Sequence, residues 1–214
     1  MDIASYIDHT ALKPETTPSD VEKLCREARE HRFAAVCVNP VHVALAASLL
    51  KGSGVLVASV VGFPLGASTT GIKARETSEA IGQGASEIDM VMSVGLFKGG
   101  DREAVGRDIS EVVKAAAGHP VKVILETCLL DTGEIKAACL IAADSGAAFV
   151  KTSTGFGSRG ATVEDVLAMK AAVGGRCRIK ASGGIRTREQ AMTMINAGAS
   201  RIGTSAGVVI VSGK

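Results

Sequence analysis

Residues 144–156 read DSGAAFVKTSTGF. A glycine follows a helical stretch, a short apolar run of strand-forming residues comes next, and the run ends in Lys151 with small hydroxyl residues behind it. The same phrase of helix end, Gly-Ala and strand recurs as QGASEID at 83–89 and NAGASRI at 196–202. Glycine just past the last helical turn supplies the left-handed backbone that stops a helix. The repetition therefore marks successive β-strand and α-helix units. Other β-branched runs are AAVCVN (34–39), VLVASVVGF (55–63), SEIDMVMSV (86–94), VKVILET (121–127), AAFVKTS (147–153), RIKASGG (178–184) and RIGTSAG (201–207). An eighth, SYIDHT (5–10), ends in functional groups.

Between these runs, helix starts carry capping signals: Thr17 with Pro18 and Asp20, Asp131 with Glu134, Thr162 with Asp165, and Thr187 with Gln190. A hydroxyl or carboxylate at the N-cap and an acid or amide three residues on satisfy two orphan N–H groups reciprocally. Alternating strands and helices predict an α/β fold with a parallel sheet. Eight units in about 200 residues match a compact (β/α)8 TIM barrel, a single domain over 1–214. An open doubly wound sheet is the alternative. No GxGxxG opens the first helix and no GxxxxGK[ST] is present, so the common nucleotide signatures of that sheet are lacking.

The 214 residues are 46% apolar, enough for a sizeable core. Lys and Arg total 24 against 22 Asp and Glu, a formal net charge of +2, with the basic residues dispersed. Nucleic acid is not the expected partner. Aromatic residues make up 3% with no Trp, leaving few stacking platforms for bases. Five cysteines form no CxxC pair and four histidines are scattered; the expectation is no disulfide framework, no metal and no cofactor. The acidic N-terminus MDIASYIDHT lacks a basic segment followed by an apolar one, and the longest apolar run, 55–63, is well short of the roughly 20 residues of a membrane span. A soluble, cytoplasmic protein is expected.

In a barrel, functional groups lie at the C-terminal ends of the strands. Asp89, Lys151 and Lys180 interrupt three strands there. Each could be one member of a structural ion pair, or a strand-end amine could simply reach water. Together they suggest chemistry: two neighbouring ammonium groups repel, and burial disfavours charge, so one amine loses its proton and can attack a carbonyl. The resulting Schiff base is an electron sink that makes the adjacent carbon acidic, while a carboxylate moves protons. Aldol chemistry is the matching reaction class. Two glycine-rich loops, SGGIR (182–186) and GTSAG (203–207), follow the last two strands, where barrels often bind phosphate on backbone N–H groups; Ser205, Thr204 and Arg186 could add donors. Tight turns without a ligand are the alternative there.

Taken in order, IDHTALKP, VCVNP, VVGFPLG, EIDMV, FVKTSTGF, IKASGGIR and RIGTSAG closely resemble the deoxyribose-phosphate aldolase family, from about Tyr6 to Gly207. The resemblance implies a metal-independent Schiff-base aldolase without a cofactor. The reaction it implies is reversible cleavage of 2-deoxy-D-ribose 5-phosphate into D-glyceraldehyde 3-phosphate and acetaldehyde. It assigns the Schiff base to Lys151, activation and proton transfer to Lys180, and acid–base work with Lys180 to Asp89. Phosphate would sit on Gly183, Gly184, Gly203, Thr204 and Ser205. Thr152 and Cys37 would line the substrate pocket, the Cys37 thiol being open to reactive aldehydes. Asp8 and His9 match the family's N-terminal phrase, with closure of the barrel as a structural alternative. Family members often end in a flexible tail with a terminal tyrosine, whereas this sequence ends Ser212-Gly213-Lys214 and its sole tyrosine is Tyr6. The expected partners are a sugar phosphate, small aldehydes and a second copy in a homodimer, with neither nucleic acid nor membrane. Rival readings are another lysine-dependent barrel aldolase acting on a ketose phosphate, and a barrel that binds sugar phosphates without turnover.

Overall fold

The computed structural model describes residues 2–213; Met1, which opens the N-terminal phrase quoted above, and Lys214, which closes the last tripeptide, lie outside the described residues. Eight parallel strands close into a barrel in sequence order: β1 (Ile7–Ala11), β2 (Ala35–Val38), β3 (Leu56–Val61), β4 (Glu87–Val91), β5 (Val121–Ile124), β6 (Phe149–Lys151), β7 (Arg178–Ser182) and β8 (Arg201–Thr204). Closure comes from β8 pairing with β1, Gly203 opposite Asp8. The open doubly wound alternative is thereby ruled out. The strands are shorter than the β-branched runs. AAFVKTS contributes only Phe149–Lys151, because the hydroxyl residues that follow are drawn into loop contacts described below.

The helices are α1 (Pro18–His31), α2 (Val43–Leu50), α3 (Thr70–Gly82), α4 (Val94–Lys98), α5 (Arg102–Ala115), α6 (Thr132–Asp144), α7 (Val163–Val173), α8 (Arg188–Ala197) and α9 (Gly207–Ser212). Reciprocal capping boxes open α1 at Thr17/Asp20, α6 at Asp131/Glu134 and α8 at Thr187/Gln190, and the Thr162 side chain caps α7. At the three repeated helix ends, Gly84, Gly146 and Gly198 have φ of 106°, 87° and 125°. Residues with a Cβ rarely adopt those values, which explains the recurrence of glycine in the phrase.

Strand alternation divides the apolar residues into two sets. Outward-facing Val36, Val38, Ile88, Met90, Val123, Val150, Ile179 and Ile202 pack in one large core with the helices. A much smaller apolar group, Leu12, Cys37, Ala58 and Val60 with Phe63 against it, forms a separate cluster. The other inward positions mix apolar residues, Val91, Ile124 and Phe149 among them, with polar and charged ones, and the charged ones form the site. One further buried ion pair braces the shell: Lys73 Nζ of α3 lies 2.5 Å from Asp108 Oδ2 of α5 and donates to the Val91 carbonyl at 3.0 Å. Among the described residues no helix is long and apolar enough to cross a membrane.

Candidate active site

Side chains on a strand alternate between faces, so Asp8, Glu87, Asp89, Lys122, Lys151, Lys180 and Arg201 are carried inward from β1, β4, β5, β6, β7 and β8. The register sets Asp89 opposite Lys122, and Lys151 opposite Lys180, which in turn faces Arg201. Six of these groups close a ring of alternating charge. Asp89 Oδ2 accepts from Lys180 at 2.7 Å, and Lys180 pairs with Asp8 Oδ2 at 2.5 Å. Asp8 Oδ1 accepts from Arg201 Nε at 2.7 Å, and Arg201 reaches Glu87 Oε2 at 2.6 Å. Glu87 Oε2 then pairs with Lys122 at 2.7 Å, and Lys122 returns to Asp89 Oδ1 at 2.8 Å. Three carboxylates thus face three cations in the ring. Lys151 is the seventh group, outside the ring, donating to Asp89 Oδ2 at 2.8 Å.

Burial alone would raise the Asp89 carboxyl, but the ammonium groups of Lys122, Lys151 and Lys180 hold it well below the usual carboxylate range. Asp8 is likewise lowered: burial opposes, and Lys180 and Arg201 prevail. Lys180 is pushed the other way, burial favouring its neutral form but Asp8 and Asp89 raising it above the ordinary lysine value. Lys180 is therefore a held cation and Asp89 a held anion. A proton leaving Lys180 or Lys122 would forfeit pairing to two carboxylates, whereas one leaving Lys151 forfeits pairing to one. Lys151 is also the only one of the three that reaches the wall of a cleft of about 600 Å³ at the C-terminal mouth of the barrel.

The glycine loops form the other side of this cleft, with Gly183, Gly184, Gly203, Thr204, Ser205 and Arg186 in its wall. Gly183 and Gly184 have φ of 86° and 76°. A Cβ on Gly160 would lie 2.0 Å from the Gly183 carbonyl oxygen, so the loop after β6 packs directly on the loop after β7. Gly203 is required for a different reason: a Cβ there would come within 3.0 Å of Lys180 Cε.

Thr204, Thr152 and Cys37 are held by contacts of their own. The Thr204 hydroxyl donates to the Ile185 carbonyl at 2.7 Å and accepts from Ala206 N–H at 2.9 Å, which shapes the loop while Thr204 stays in the cleft wall. Thr152 does not line the cleft; it is fully buried, its hydroxyl bonded to the backbone of Ser182 on β7. Cys37 is also fully buried, its thiol 4.0 Å from Asp89 Oδ2 inside the barrel. Burial, and then the Asp89 charge, push that thiol upward, which disfavours the reactive thiolate.

His9 and Asp8 separate by alternation. Asp8 joins the ring, while His9 points outward to Glu27 of α1, Nε2 to Oε2 at 2.8 Å. Lys122, Glu87 and Arg201 were absent from the sequence-based site, although each is a charge inside a β-branched run and so carried the same signal as Lys151. Glu126 was also absent. It holds a left-handed backbone with φ of 56° at the end of β5, and its buried carboxylate accepts from the Thr154 hydroxyl and N–H, shaping the loop after Lys151.

A closed (β/α)8 barrel with two lysines and a carboxylate beside a cleft at the strands' C-terminal ends has the arrangement of a barrel aldolase. Residues 3–212 match the family described as DeoC/LacD family aldolase, and the chain belongs to that family. It is 56% identical to the deoxyribose-phosphate aldolase of Brevibacillus brevis, over 100% of this chain and 96% of the relative. The crystal structure of a putative deoxyribose-phosphate aldolase from Coccidioides immitis superposes with a TM-score of 0.97 at 45% identity, covering 99% of this chain and 85% of the other. The deoxyribose phosphate aldolase of Aeropyrum pernix, described as tetrameric, gives 0.92 at 37% identity over 98% and 89% of the two chains.

Proposed function

We propose that this protein reversibly cleaves 2-deoxy-D-ribose 5-phosphate into D-glyceraldehyde 3-phosphate and acetaldehyde through a Schiff base on Lys151. The observation that carries this reading is that, of the three lysines bonded to Asp89, Lys151 alone faces the cleft. Relatives matched over 96% and 97% of their own length and bearing the name deoxyribose-phosphate aldolase support the substrate.

The free amine of Lys151 attacks C1 of the open-chain sugar; the new C–N bond forms as the carbonyl electron pair moves to oxygen. The alkoxide takes a proton relayed from Lys180 through a water, and loss of water from the carbinolamine leaves an iminium ion. When the C3 hydroxyl gives up its proton toward Asp89, the C2–C3 bond breaks and its electrons flow into the iminium, forming an enamine. D-Glyceraldehyde 3-phosphate departs. Proton return to C2 and addition of water release acetaldehyde and restore the amine. The phosphate rests on the backbone of Gly183, Gly184, Gly203 and Ser205, with Arg186 adding charge. A role in deoxyribose phosphate catabolism, a cytoplasmic setting and a homodimer go with this reading.

Incubation with acetaldehyde and reduction by borohydride tests it. An ethyl group mapped to Lys151 by mass spectrometry and absent from Lys151→Ala is the expected result. Modification confined to exposed lysines, equal in parent and variant, would remove the mechanism.

A further inference from the structure

The alternating ring of Asp89, Lys180, Asp8, Arg201, Glu87 and Lys122 is electrically balanced by itself, three carboxylates against three cations. Lys151 is then the one surplus cation in a space where every member is at least nine-tenths buried. Charge that is not balanced in a low-dielectric interior is strongly disfavoured, and the cheapest relief is loss of a proton by the group with the fewest partners. We propose that Arg201 and Glu87, which neither line the cleft nor contact Lys151, are positioning residues that balance the ring and so leave Lys151 as the amine released in its neutral form. This inference rests on the Schiff-base reading above.

The groups around Lys151 are limited in number. From β4 comes Asp89, from β7 Lys180, from β5 Lys122, from β1 Asp8 and from β2 the Cys37 thiol near Asp89. On the floor, Arg178 stacks on Phe149 at 4.0 Å from the ring centroid; in the cleft wall the charged side chains are Lys13, Glu15, Asp20 and Arg186. None of these others makes an ion pair with a ring member.

Balance predicts opposite effects from two removals on the far side of the ring. Arg201→Met leaves three carboxylates against two cations, so a protonated Lys151 restores neutrality. Glu87→Gln leaves two carboxylates against three cations, so a protonated Lys151 worsens the excess. The readout is the rate of ethylation of Lys151 by acetaldehyde and cyanoborohydride, mapped by mass spectrometry from about pH 5 to about pH 10 and normalised to exposed Lys51. Its midpoint should move up for Arg201→Met and down for Glu87→Gln. Each shift should be on the order of one pH unit, as for a unit charge removed several ångströms away at an effective dielectric near 20. The double variant should return to the parent midpoint, and Arg201→Lys should keep it.

Shifts in the same direction, or no shift while Lys151 is still ethylated, would overturn the inference and leave the Schiff base standing. No adduct on Lys151 in the parent at any pH would overturn both. If a single variant does not fold, the double variant decides: folding with the parent's midpoint supports balance, and a displaced midpoint or the same failure to fold overturns it.

Discussion

Lys151 and Lys180 are register partners on adjacent strands, and both amines bond the same oxygen, Oδ2 of Asp89, at 2.8 and 2.7 Å. The two amines differ in everything else around them. Lys180 has a second carboxylate in Asp8 and no access to the cleft, whereas Lys151 has neither Asp8 nor isolation. Parallel pairing of β6 with β7 puts the two side chains side by side, and the ring around Lys180 makes them unequal.

Asp89 is the shared counterion of three ammonium groups, so Asp89→Asn removes the charge that all three face. Leaving buried cations uncompensated costs about 3–5 kcal/mol. Urea denaturation should show a loss of that order, and turnover of 2-deoxy-D-ribose 5-phosphate should fall because the carboxylate that takes up the C3 hydroxyl proton is gone.

Acid should act through the same carboxylates. Asp8 and Asp89 are held below the unfolded value of 3.8, so the unfolded chain binds protons first as pH falls. Their contribution is complete well above 3.8 and drains away as pH drops through that value toward the lower folded ones. Lys180 is held above 10.5, so its contribution is complete below 10.5 and is lost only as pH rises beyond it. Burial holds His9 below its unfolded value of 6.5, so a smaller loss begins as pH falls through that value. Urea midpoints should be level from about pH 8 to about pH 9, decline slightly at about pH 6 and fall steeply below about pH 4.

Gly160 and Gly183 touch backbone to backbone, and a Cβ at Gly160 has no flexible side chain to displace. Gly160→Ala should push the Gly183 loop out of the phosphate end of the cleft. Misplacement of this kind costs on the order of tenfold to a hundredfold in kcat/KM for the sugar phosphate. Ethylation of Lys151 by acetaldehyde, which carries no phosphate, should be retained.

Arg186 is an exposed cation in the wall beside Gly183 and Gly184. Arg186→Gln should raise KM for 2-deoxy-D-ribose 5-phosphate by roughly tenfold with kcat unchanged, the signature of lost uniform binding. Steady-state kinetics at two salt concentrations would check it, since the parent and not the variant should weaken with added salt.

Lys73 and Asp108 brace α3 against α5 away from the cleft. Lys73→Ala strands the buried Asp108 carboxylate and should cost about 3–5 kcal/mol, while Lys73→Met with Asp108→Leu should cost less than the single change. Chemical denaturation of the three proteins separates the outcomes.

Much of this architecture was legible in the chain itself. The helix-end glycines at 84, 146 and 198, the capping boxes and eight β-branched runs are local signals, because they report backbone geometry that neighbours in sequence impose. A charge inside an apolar run is also local, and it pointed to Asp89, Lys151 and Lys180. The pairing of those charges was not legible. Lys122 and Arg201 carry the same signal as Lys151, yet their partners come from other strands: Glu87 and Asp89 for Lys122, Asp8 and Glu87 for Arg201. Arg201 and Asp8 lie 193 residues apart and meet only because β8 pairs with β1. Alternation along each strand determines which side chains share a face, a property of a few consecutive residues. Only closure of the barrel decides the register between strands, and with it which carboxylate meets which amine and which lysine is left over.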